Sequence, residues 1–409
     1  MDWTIAIFVV VYIGMALGSL PGLKVDRAAI ALLGAIALLA SGKIGQEAAW
    51  NSIDFSTIGL LFGLMILSAQ FAMAGFYQAV AHYLIRLQMG PRTLLAILVC
   101  ASGLLGALLT NDVVALAMAP VIIEICFERK LNPLPFLLAL ACSTNAGSSG
   151  TIIGSPQNIL IGEKLGLSFV AFLYDAAVPS ALSLAAIWAI IAFSFRNKWD
   201  LQAGQKPSVQ TRPADFDQWE NLKALIIAAG IIVAFVATSW PRDLVALTAG
   251  GILLLNARFQ SKKMLDYEDW QLLVLIMSLF IVNAAFQQTH LLSEWIADLK
   301  SNSVDLYHPA WIFALTAMLS DLVSNVPSVM MLLPFATHPL SGPAMALASG
   351  LSSNLIVIGS LANIIVIDVA AQHGMKITFW EHARIGIPVT LVSLLIAAGW
   401  LWLRAVQIV

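Results

Sequence analysis

Charge is what this sequence has least of. Only 11% of its 409 residues are Asp, Glu, Lys or Arg, while 60% are hydrophobic. A soluble domain carries roughly a quarter charged residues. With a mean hydropathy of +0.88, the composition excludes a water-soluble globule and implies a polytopic membrane protein. There is no basic tail or cluster, which removes nucleic acid as a partner. Cysteine is also scarce. Cys100, Cys126 and Cys142 lie in apolar segments without metal-like spacing and read as small core residues. His82, His290, His308, His338, His373 and His382 all fall at span ends or in loops, so a buried serine would lack a general base. Gly147-Ser148-Ser149-Gly150 matches an intramembrane serine-protease motif, but without that base it does not suggest an enzyme.

What is present is a series of apolar runs of membrane length. They predict helices at 3–20, 28–42, 56–85, 93–127, 133–162, 168–195, 221–239, 243–257, 270–296, 309–337, 343–372 and 383–403. The first run lacks the basic start and Ala-x-Ala exit of a signal peptide and reads as a retained helix. Two runs, 93–127 and 309–337, are too long for one span, and each is interrupted near its middle by Thr/Ser-Asn. They read as re-entrant hairpins. If each returns to its own side and every other run crosses once, sixteen Lys and Arg fall on one side and five on the other. That asymmetry marks the cytoplasmic side. The expectation is an all-α protein of the inner (cytoplasmic) membrane, with about ten crossings, two hairpins, two broken helices and both termini outside.

The interruptions come in pairs. Leu109-Thr110-Asn111-Asp112 with Pro120 recurs as Val323-Ser324-Asn325-Val326 with Pro334, 214 positions on. Ile152-Ile153-Gly154-Ser155 with Asn158 recurs as Val357-Ile358-Gly359-Ser360 with Asn363, 205 positions on. Irregular backbone survives at bilayer depth only where protein or a cavity satisfies it. Duplicated breaks are the signature of an inverted-repeat transporter. The expected organisation is a first repeat over 1–195 (hairpin 93–127, broken helix 133–162) and a second over 221–409 (hairpin 309–337, broken helix 343–372). The polar stretch 196–220 reads as a cytoplasmic linker between them.

The candidate binding residues follow from those breaks. In the first half they are Thr110, Asn111, Asp112, Asn145, Ser148, Ser149, Gly150, Thr151, Gly154, Ser155 and Asn158. In the second they are Ser324, Asn325, Ser353, Asn354, Gly359, Ser360 and Asn363. Amide, hydroxyl and carbonyl oxygens suit a desolvated cation, and helix N-termini suit an anion. Asp112, Asp321 and Asp368 are carboxylates within spans, and each is a candidate for ion or proton coupling.

The phrases TNDVVALAMAPVIIEIC, LNPLPFLLALACSTNAGSSGTIIGSPQNILIG and LVSNVPSVMMLLP resemble the ion transporter superfamily. That group includes divalent anion/sodium symporters, arsenite permeases and sodium/proton antiporters. The resemblance implies a homodimeric carrier in which a transport domain moves against a scaffold. It places sodium and a substrate carboxylate at the hairpin tips, here Asn111 and Asn325. Neither tip keeps the Ser-Asn-Thr of the symporters. The expected activity is secondary transport of a small inorganic or organic anion across the bilayer, with sodium or protons as coupling ion and no other cofactor. Proton-coupled arsenite or antimonite efflux is the alternative, and sodium/proton antiport a further one.

Overall fold

The computed structural model describes residues 3–18, 25–86, 89–201, 216–289 and 305–408, and is all-helical over them. The first group of helices is α1 (Trp3–Leu17), α2 (Arg27–Ala40), α3 (Gln46–Ser52), α4 (Phe55–Met73), α5 (Phe76–Arg86), α6 (Pro91–Leu108), α7 (Asn111–Glu128), α8 (Pro133–Ser148), α9 (Pro156–Lys164) and α10 (Phe169–Ser194). The second is α11 (Gln218–Ala237), α12 (Arg242–Leu254), α13 (Ser261–Leu265), α14 (Trp270–Gln287), α15 (Pro309–Val323), α16 (Asn325–Leu332), α17 (Ser341–Ser352), α18 (Leu361–Gln372) and α19 (Phe379–Ile408). Six of the described helices have at least 18 residues and are apolar enough to cross a bilayer.

The helix starts follow the sequence's spacing. α1 and α11, α2 and α12, α3 and α13, and α4 and α14 each begin 215 positions apart. Local chemistry repeats too. Asp54 caps α4 by accepting from the Thr57 N–H, and Asp269 caps α14 by accepting from the Leu272 N–H. An acceptor here satisfies one of the free donors of a first helical turn. The packing is likewise paired: α4 lies on α12, α2 on α14, α6 on α8 and α15 on α17.

One expected helix is wrong. The run 56–85 is two helices, because Gly75 takes φ +74° and Ala74 ends α4. Hydropathy continues through this turn, so composition did not reveal it. The last part of the expected helix 270–296 lies outside the described residues, as do His290 and most of the linker.

Small residues set the closest helix contacts. A Cβ on Gly63 would fall 2.4 Å from the backbone carbonyl of Ala246 on α12, and one on Gly147 would meet the Gly103 backbone of α6. Helix pairs in membranes gain stability by such approach. Gly63→Val should therefore lower the midpoint of thermal unfolding in detergent. The cost is about 1–3 kcal/mol, or more because the obstacle is backbone.

At the end of the bundle where α11 begins, Glu220 is buried and accepts from Gln70 Nε2 (2.9 Å) and Asn256 Nδ2 (2.8 Å). Nearby, Asp217 pairs with Arg258 (2.6 Å), whose guanidinium holds this half-buried carboxyl below its usual range. Glu268, in the turn before α14, is buried with neither oxygen hydrogen-bonded, and burial pushes it up to about 8. The folded state thus holds a proton that the unfolded chain releases near its ordinary carboxylate value. Stability is full at acid pH and falls progressively up to about pH 8. Glu268→Gln should be indistinguishable from the parent near pH 4 and more stable at pH 8, as read by melting in detergent.

Candidate substrate site

The two long runs form helix–break–helix pairs. α6 ends at Leu108 and α7 starts at Asn111; α15 ends at Val323 and α16 starts at Asn325. At the second tip Ser324 takes φ +84°, a backbone conformation that L side chains rarely adopt. Each tip is held by a polar side chain from a neighbouring helix. Thr110 donates to Ser68 of α4 (3.2 Å), while Tyr12 of α1 reaches both Asn283 of α14 (3.1 Å) and the Pro327 carbonyl (3.4 Å).

The broken helices repeat their hydrogen bonds. Asn158 Nδ2 donates to the carbonyls of Ser148 (3.0 Å) and Thr151 (2.8 Å). Asn363 Nδ2 donates to those of Ser353 (2.8 Å) and Ile356 (3.2 Å), each partner 205 positions further on. A side-chain amide thus replaces the missing helical donors within each break. Gly154 and Gly359 are needed because a Cβ would meet Ser148 backbone at 2.4 Å and the Ser353 carbonyl at 2.9 Å.

Asn145 joins the two halves. Its Oδ1 accepts from Asn111 Nδ2 (3.0 Å) and Ser360 Oγ (2.9 Å). Its Nδ2 donates to Asn354 Oδ1 (3.0 Å) and Asn363 Oδ1 (3.2 Å). The four bonds use its full hydrogen-bonding capacity. Ser353 donates to Asn325 Oδ1 (3.0 Å), tying the second tip to the second break.

Below this network lies a cavity of about 470 Å³, lined by Asn111, Asp112, Asn325, Ser324 and Ser360 among the sequence-predicted residues. Asp26, Arg27, Gln157, Asp269 and Gln271 also line it and were not singled out as binding residues from sequence. The signal that could have found two of them was the 215-residue spacing of Arg27 to Arg242 and Asp54 to Asp269. Asn111 Oδ1 and Asp112 Oδ1 are buried acceptors without a partner. Two such oxygens on adjacent residues suit a cation or a ligand that donates protons.

Other candidates lie elsewhere. Asp321 sits against Gly359, whose Cβ would come within 2.6 Å of its Oδ1, and does not line the cavity. Asp368 is exposed near the end of α18. Gly150 and Thr151 face a separate apolar groove between α6, α8 and α10. Ser148 and Ser149 both donate to the Asn145 carbonyl, leaving neither poised as a nucleophile. No cluster of three His, Cys, Asp or Glu that could hold a metal occurs among the described residues.

Helical breaks meeting at a polar cavity between apolar helices define a membrane transporter, not an enzyme. The family model described as citrate transporter matches residues 8–345, and the chain belongs to that family. A 46 kDa membrane protein of Mycobacterium leprae is 27% identical, the match covering 98% of each chain. The silicon efflux transporter LSI3 of Oryza sativa is also 27% identical over 95% of this chain and 93% of its own. Among solved structures, the Alcanivorax borkumensis YdaH transporter shares the fold. Its TM-score is 0.58 at 13% identity, with 98% of each chain covered. These similarities agree with the ion transporter superfamily.

Proposed function

We propose that this chain is a secondary active carrier of a small anion, coupled to sodium or protons, working by alternating access of elevator type. The observation that carries the reading is the cavity where both hairpin tips and the second break meet. Arg27 is the cation in its lining, and the unpartnered Asn111 and Asp112 oxygens offer a place for the coupling cation or proton. The cavity lies at the start of α14, beside Asp26 and Arg27, the side that the charge distribution makes cytoplasmic. The state is then inward-facing, in the cytoplasmic membrane, with two inverted repeats forming one carrier and a homodimer supplying the fixed scaffold.

A second reading has its own support. Asp26, Asp112 and Asp269 outnumber Arg27 in the cavity lining, which suits an uncharged hydroxylated acid such as silicic or arsenous acid. The rice relative is named for silicon efflux. Purified protein in liposomes, given a sodium gradient and then a pH gradient, separates the two. Citrate, sulfate or phosphate flux driven by either gradient supports the anion reading. Proton-driven silicic or arsenous acid flux, with no anion carried, replaces it. Sodium/proton exchange with no other solute sinks both.

A further inference from the structure

At the end of the bundle opposite the cavity, α9 is clasped to α4 and α12. Arg242, the first residue of α12, pairs with Glu163 (2.9 Å) and donates to the carbonyls of Leu167 (2.9 Å) and Gly162 (3.1 Å). Lys164 pairs with Asp54 (2.9 Å) and lies over the Phe280 ring. Asp54, Glu163 and Arg242 are half-buried, whereas Lys164 is exposed. Phe280 belongs to the second half of α14, whereas Asp269 and Gln271 at its start border the cavity. Phe280 stands nine residues beyond Gln271, about 14 Å along the helix axis, so the clasp lies toward the opposite end of α14 from Asp269 and Gln271.

The repeat spacing gives this clasp a counterpart. Arg242 corresponds to Arg27, also the first residue of its helix, 215 positions earlier. Glu163 lies five residues after Asn158; five residues after Asn363 stands Asp368. The counterpart is open here. Arg27 Nε donates to the Met15 carbonyl (3.1 Å), and Asp368 is exposed with no ion pair among the described residues. Arg27, Leu361 and Ile364 all line the cavity. Asp368 is one helical turn beyond Ile364, on the same helix face.

We propose that Arg27 and Asp368 pair to close the cavity side when the Arg242–Glu163 clasp opens. The two ion pairs then alternate as mutually exclusive latches. The inference rests on the alternating-access reading above. It also predicts an asymmetry. Lys164 corresponds to Val369, so the Arg27 latch holds one ion pair where the Arg242 latch is reinforced by a second.

Disulfide crosslinking in native membranes tests this, in a chain whose Cys100, Cys126 and Cys142 are replaced by alanine. Arg27→Cys with Asp368→Cys should crosslink under mild oxidation, and roughly fivefold faster once Glu163→Gln weakens the opposing latch. With Glu163→Cys and Arg242→Cys added, either crosslink should form but not both in one molecule. The Glu163/Arg242 crosslink forming without any at Arg27/Asp368, and still blocking flux, would overturn the latch and leave alternating access standing. Both crosslinks in one molecule would overturn alternating access itself. Neither crosslink forming would refute the clasp geometry. As a second variant, Arg27→Asp should impair exchange between states, and adding Asp368→Arg should restore it.

Discussion

Asn145→Leu should be the most damaging single substitution in this protein. The side chain is buried and makes four hydrogen bonds, to Asn111, Ser360, Asn354 and Asn363. Leucine keeps the branching and heavy-atom count but is bulkier and removes every donor and acceptor. Asn111 Nδ2 and Ser360 Oγ lose an acceptor, and two amide oxygens lose a donor. Each orphaned polar group costs about 1–3 kcal/mol, so a total loss of at least about 3 kcal/mol is expected. The breaks it connects belong to different halves of the chain, so the tips should lose their relative position as well. The measurement is the detergent melting midpoint together with flux in liposomes. A variant that melts like the parent and transports normally would show that the network is incidental.

Asp112→Asn should leave the fold intact and uncouple transport. The carboxylate stands in the first turn of α7 at the cavity, near the start of α18, and Asp269 lines the same cavity. Its Oδ1 has no protein donor, and the bond the carboxyl accepts from the Ala362 backbone N–H can be accepted equally by the amide oxygen of asparagine. The amide keeps the shape and removes the charge. If this group binds the coupling ion, gradient-driven accumulation should fall by about 5–150-fold, the range of ordinary coupling free energies. Solute counterflow, which needs no gradient, should persist, and Asp112→Glu should retain part of the coupling. Loss of counterflow and accumulation together would make Asp112 a substrate-binding residue; unchanged accumulation would remove it from the site.

The sequence carried the membrane environment and the positions of the breaks, for clear physical reasons. A scarcity of charge over long apolar runs has one stable solvent, the bilayer. Thr110-Asn111 and Ser324-Asn325 inside such runs are tolerable only where the helix ends and protein covers the freed groups. Asn158 and Asn363 announced themselves through spacing, and their hydrogen bonds repeat at that same spacing. The turn at Gly75 escaped because a single glycine within continuous hydropathy is equally compatible with a helix. Tertiary structure alone decided which polar groups meet. Asn145 reaches four residues from three separate segments, and no periodicity encodes contacts 34 to 218 positions away. It also decided that Asp269 and Arg27 border the cavity while Asp321 and Asp368 do not. Chain order records which residues can line a break, and only packing determines which of them share one cavity.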